Sequence, residues 1–148
     1  MSGTPPIATI GWRERVDLPD WGLHRVKTKI DTGARTSVID VAHIEELPGG
    51  DIRFEVVGRH KPTRKSRWVT ATPTRRSTVK PSHGKAQERY VCTTTVRVGE
   101  IAFEVELSLV CRKRMLCRML LGRTALDGRF LVDPSRKYCL TAPPKALR

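Results

Sequence analysis

The residues in this 148-residue chain with the most chemical promise are Asp31, Thr32 and Gly33, which end an alternating apolar and basic run, Val26-Lys27-Thr28-Lys29-Ile30. A strand with that alternation delivers the Asp31 carboxylate at its end, and Thr32-Gly33-Ala34 then permits a tight turn with close backbone approach. Read by itself, the triplet is either a plain turn or one half of a paired-carboxylate hydrolytic site. Such a site needs two aspartates. Asp127 and Asp133 lack the Thr-Gly context and the chain has no internal repeat, so only one such triplet is present.

Other chemistries find less support. His24, His43, His60 and His83 are scattered, no HExxH occurs, and Cys111 and Cys117 are too far apart for a zinc knuckle, so no metal site is expected. Cys92 and Cys111 fall in strand-like runs, where a cysteine is a small core residue rather than a nucleophile. Neither GxGxxG nor GxxxxGK[ST] is present, and no cofactor is expected. Three tryptophans in a chain with 5% aromatic residues supply little surface for stacking bases.

Charge gives a second lead. Lys and Arg number 28 against 15 Asp and Glu, a net charge of +13. Residues 59–89 hold ten of the cations and one acid, Glu88, and so carry +9 of that total. The run is either a solvated loop or a surface for anionic partners: acidic peptide, nucleic acid or lipid headgroups. No apolar window approaches a membrane span, the start of the chain does not read as a signal segment, and the four cysteines form no disulfide framework. These features suit a cytoplasmic protein with no membrane partner.

The elements that must position Asp31 are mostly strands. Residues 7–16, 25–30 and 51–57 are rich in β-branched and aromatic residues between Pro, Asp and Gly punctuation. Residues 90–98 and 101–110 alternate around Gly99-Glu100, a hairpin signal with Cys92, Thr94, Val96 and Val98 on one face. Residues 67–72 and 77–79 are expected to form the arms of a long hairpin, with Ser82-His83-Gly84 at its tip. Residues 41–47 are expected to form one or two helical turns, and residues 124–127 a short helix ended by Gly128. The length suits one domain, residues 1–148, with its core at about 10–138.

A distant segment changes the weight of Asp31. Met119-Leu-Leu-Gly-Arg123 reads as an apolar strand leading into the short helix, and Asp-Thr-Gly-Ala followed late by apolar-apolar-Gly-Arg resembles the retropepsin-type aspartic peptidases. Across the whole chain, Gly11-Trp-Arg-Glu14, Lys29-Ile-Asp-Thr-Gly-Ala-Arg-Thr-Ser37, Glu88-Arg89, Met119-Leu-Leu-Gly-Arg-Thr-Ala-Leu126 and Val132-Asp-Pro134 resemble the RimB-like family, long labelled ATP-dependent zinc proteases. The family's Ser-Ser-x-Gly stretch is Pro81-Ser-His-Gly84 here.

The resemblance implies a closed β-barrel with a flap hairpin and a short C-terminal helix. It implies Asp31, Thr32 and Gly33 as the catalytic triplet of a homodimer. Ala34, Arg35, Ser82, His83, Gly84 and Arg89 would contact substrate, and Leu121, Gly122 and Arg123 would support the catalytic turn. It further implies hydrolysis of acidic or poly-α-glutamate peptides and a functional link to an ATP-grasp glutamate ligase. The basic residues 59–89 fall where such a fold places its flap. The alternative is a catalytically inactive basic module on the same fold that binds the ribosome or RNA; nucleic acid is the less favoured partner.

Overall fold

The computed structural model describes residues 6–59, 65–79, 87–111 and 116–141. Twelve strands carry the described chain: β1 (Ala8–Gly11), β2 (Arg13–Leu18), β3 (Leu23–Ile30), β4 (Ser37–Asp40), β5 (His43–Glu46), β6 (Ile52–Arg59), β7 (Lys65–Ala71), β8 (Arg75–Val79), β9 (Gln87–Val98), β10 (Ile101–Val110), β11 (Met119–Leu121) and β12 (Phe130–Asp133). One short α-helix, α1 (Arg123–Leu126), follows β11.

Strands β10, β4, β11, β3, β2 and β9 lie side by side, and pairing of β9 with β10 closes them into a six-stranded barrel. Strand alternation fills it. In β3, Val26, Thr28 and Ile30 point inward, and in β2, Glu14, Val16 and Leu18 do the same, leaving Arg13, Arg15, Lys27 and Lys29 on the outer face. Leu107 and Leu109 of β10, with Met119 and Leu121 of β11, complete the packing. Closure buries every barrel edge, so the short β11 is held on both sides, parallel to β3 and antiparallel to β4.

Residues 7–16 are two strands rather than one. At Trp12 the chain leaves the ladder: its N–H donates to the Arg136 carbonyl at 2.9 Å, and its own carbonyl accepts from Ile30. β1 then pairs in parallel with β12, while β2 turns into the barrel. The switch is locked by Glu14, a fully buried carboxylate that accepts N–H bonds from Gly11 and Cys139, each at 2.8 Å, and from Thr141 at 3.1 Å, as well as the Thr141 hydroxyl at 2.7 Å.

The expected helix at 41–47 is a strand: β5 pairs with β6 from His43↔Glu55 to Glu46↔Ile52. Pairing with β6 satisfies the backbone groups on one side of this edge strand, and that outweighs the weak local helical pattern. Likewise residues 67–72 do not pair with 77–79. β7 pairs back onto β6, and β8 pairs with the start of β9. The basic stretch therefore holds two hairpins. The second, β8–β9, extends from the barrel strand β9 and corresponds to the expected flap; the tip residues Ser82, His83 and Gly84 lie outside the described residues. An edge-to-face contact of Trp21 with Phe54, centroids 5.1 Å apart, joins the β5–β6–β7 sheet to the barrel.

Candidate active site

Asp31 sits where the sequence puts it, one residue past β3. Its N–H still donates to the Leu121 carbonyl at 2.9 Å, so the ladder between β3 and β11 fixes its backbone. One carboxylate oxygen, Oδ1, accepts the Gly33 N–H at 2.9 Å within the turn, and the Ala34 N–H returns to the Asp31 carbonyl at 3.3 Å. This is an Asx-type turn, which orients the carboxylate without help from another side chain. Asp31 is half-buried; Thr32 and Gly33 are exposed.

The turn rests on the start of α1. Arg123 and Thr124 donate their backbone N–H groups to the carbonyls of Ala34 and Arg35, at 2.8 and 3.0 Å. The Arg123 guanidinium reaches the Thr32 carbonyl at 3.0 Å, so this arginine braces the turn. Gly122 is wedged beneath: a β-carbon there would stand 2.4 Å from the Thr36 carbonyl oxygen and 2.8 Å from that of Ala34. Its N–H donates to the buried Ser37 hydroxyl at 3.0 Å. Ser37 is a supporting residue that sequence reasoning missed, although it lies inside the same nine-residue block.

Leu121, Gly122 and Arg123 thus meet Asp31, Thr32, Gly33 and Ala34 across more than eighty residues of sequence. Arg35 is exposed beside them and, among the described residues, makes no ion pair. Arg89 lies in the flap hairpin opposite Ser77. Asp31, for its part, is joined to no second carboxylate by a hydrogen bond among the described residues, and no three His, Cys, Asp or Glu side chains there group closely enough to hold a metal ion. Cys92 is a core residue as expected, and burial pushes its thiol up to about 11, whereas Cys111 lies exposed just past β10 rather than in the core, its thiol raised by partial desolvation and then by the neighbouring Asp40.

A wide groove of about 790 Å³ opens beside the Asp31 turn, lined by Thr32, Arg35, Arg123 and Asp127 with the apolar Ile7 and Leu131. Ile7 and Leu131 are 51% and 63% exposed, unusual for large aliphatic residues flanking a polar turn.

Comparison with known proteins bears on the family and the fold. A family model described as RimB-like, retropepsin-like aspartic endopeptidase RimB, matches residues 9–143. Proteins named probable alpha-L-glutamate ligase are similar over 138 residues and 88% of this chain: 36% identical in Shewanella pealeana and 31% in Desulfotalea psychrophila. The chain spans only 29% of the length of those relatives. A crystal structure of a Legionella pneumophila protein of unknown function (DUF785) superposes with a TM-score of 0.72 at 27% identity, covering 90% of this chain and 98% of that one. No helix among the described residues is long and apolar enough to cross a membrane.

Proposed function

This chain belongs to the RimB-like family, and from that premise we propose that it is an aspartic endopeptidase that hydrolyses peptide bonds in acidic or poly-α-glutamate chains. The observation that carries the proposal is the Asp31 turn. A carboxylate is fixed at a strand end by Gly33, seated on the Leu121-Gly122-Arg123 segment, and open to one side.

In the proposed reaction, a second copy brings its own Asp31 opposite the first across a twofold axis. A water lies between the two carboxylates, which share one proton. The ionised carboxylate takes a proton from the water as it attacks the scissile carbonyl, and the protonated one donates to the carbonyl oxygen. Collapse of the tetrahedral intermediate expels the amine, which leaves with a proton returned by the dyad. Thr32 and Gly33 hold the paired turns in close approach, and Arg123 keeps each turn in place.

The groove with exposed Ile7 and Leu131 suits the second copy as occupant. It borders Thr32 directly, it is apolar at its rim, and its polar part mixes Arg35 and Arg123 with Asp127, so that it can complement itself. The acidic substrate class is supported by the regional positive charge and by the glutamate-ligase names of relatives that contain a region like this chain. Those names also support a functional link to a glutamate ligase. The flap, with Ser82, His83, Gly84 and Arg89, and the exposed Arg35 would hold the acidic chain over the dyad.

The test is hydrolysis of an α-linked oligoglutamate peptide followed by mass spectrometry. Wild-type protein should cleave it, and Asp31→Asn should reduce the rate by about a thousandfold or more while leaving the melting temperature unchanged within a few degrees. Equal rates from the two proteins would exclude Asp31 as the catalytic group. Tight RNA binding with no cleavage would instead favour an inactive basic module.

A further inference from the structure

The outer face of the barrel below Asp31 places cations directly opposite cations. Across the β2–β3 pair, Arg13 faces Lys29 and Arg15 faces Lys27. Like charges in such register repel, so an unoccupied face bears a cost that an anion would relieve. The Nε atoms of Arg13 and Arg15 are buried with no hydrogen-bond partner among the described residues. Both pairs belong to concavities. A cavity of about 470 Å³ is lined by Trp12, Arg13, Lys29, Leu116, Cys117 and Leu120, and a neighbouring one of about 260 Å³ by Arg15, Arg25, Lys27, Leu116 and Arg118. Leu116 belongs to both, so the two adjoin.

Their placement relative to Asp31 follows from strand geometry. Lys27, Lys29 and Asp31 are separated by two residues each, and the even-numbered residues between them are buried. All three therefore project from the same face, at successive steps of about 7 Å. Arg13 packs its guanidinium over the Trp12 ring, 4.9 Å from its centroid, and the Lys137 ammonium lies at the same distance from that ring. The first station beyond Asp31 thus has an aromatic wall and apolar flanks from Leu116 and Leu120, suited to the methylene stem of an acidic side chain whose carboxylate meets two cations.

We infer that Arg13 with Lys29, and Arg15 with Lys27, form two successive carboxylate-binding subsites that select acidic side chains on one side of the scissile bond. An extended peptide repeats its same-side residues at about the spacing of these stations. Their place on the Asp31 face favours a peptide over nucleic acid. The inference rests on the reading of Asp31 as the bond-cleaving centre, and its test separates the two.

Binding of a fluorescent α-linked oligoglutamate to the Asp31→Asn protein is measured by anisotropy, alone and with Lys29→Met, Arg13→Met or Lys27→Met added. Each added variant should weaken binding at least about tenfold, and Arg13→Lys, which keeps the charge, should recover most of it. In the otherwise wild-type enzyme, Lys29→Met should lower the ratio of kcat/KM for the glutamate peptide over its glutamine analogue by a similar factor. Because Arg13 packs on Trp12, melting temperatures are recorded, and the exposed Lys29 gives a second readout should Arg13→Met fail to fold. Unchanged oligoglutamate affinity in the folded Lys29 and Lys27 variants would overturn the inference. So would a single-stranded RNA that binds more tightly than oligoglutamate at equal salt and loses affinity in the same variants. If wild-type protein cleaves nothing but these affinities fall as expected, the hydrolytic reading fails and the subsites stand.

Discussion

Replacing Gly122 with alanine would press a methyl group against the carbonyls of Thr36 and Ala34, which are backbone atoms that cannot swing aside. The loss should be about 3 kcal/mol, read as a lower urea midpoint, and the residual folded protein should be inactive because the displaced carbonyls hold the Asp31 turn. A midpoint within experimental error of wild type would show that the segment can relax. Cys92 supplies a prediction of another kind. Its thiol is 1% exposed and burial raises it from 9.0 to about 11. A pKa raised on folding means that the fold favours the protonated thiol: this contribution is complete below pH 9 and lost as pH climbs through about 11. Native protein at pH 8 should therefore leave Cys92 unmodified by iodoacetamide, and stability should decline over that alkaline window. Rapid native alkylation of Cys92 would contradict the burial. At this scale the placement of Asp31 at a strand end, in a turn, was legible from sequence because its determinants are local: an alternating strand, then Thr-Gly. Ser37 and the Arg13–Lys29 opposition were not, since the first needs a contact with Gly122 and the second a hairpin register.

Glu14 ties elements together. It is an acid at an inward position of β2, and its oxygens bind the backbone of Cys139 and Thr141 beside that of Gly11. Each bond to an ionised carboxylate is stronger than a neutral one, so Glu14→Gln, which keeps the shape and turns one acceptor into a donor, should cost about 2 kcal/mol. Hydrogen exchange should accelerate at residues 139–141 before it does in β9 or β10. Unchanged protection there would mean that packing of Leu140, not the carboxylate, holds the segment. The alternation Arg13-Glu14-Arg15-Val16 was the available signal, because a carboxylate at an inward position demands partners. Strand pairing was legible where a turn signal lay between the partners, as at Gly99-Glu100, whose hairpin has the expected faces. It failed for residues 67–72, where two candidate partners competed and β6 won by offering the longer apolar register. It failed also for residues 41–47, too short for periodicity to separate helix from strand.

At the scale of the molecule, the closed barrel and its late strand-helix segment hold the Asp31 turn, which the proposed reaction uses as one half of a reactive pair. The fold class was readable because distant motifs concurred on it. The partner copy remains a proposal that rests on counting: one Asp-Thr-Gly, where the proposed reaction uses two. Exposed Ile7 and Leu131 beside Thr32 are the surface proposed for that copy, and the basic residues on the Asp31 face are the contacts proposed for an acidic substrate. The most direct measurement is a mixing titration. Wild-type and Asp31→Asn chains are unfolded together, refolded at varied ratios and fixed total concentration, and assayed on oligoglutamate. If each active centre needs Asp31 from two copies, activity follows the square of the wild-type fraction and an equal mixture retains about a quarter of it. Activity that instead falls in direct proportion to the wild-type fraction would mean that one Asp31 suffices, and would contradict the shared dyad.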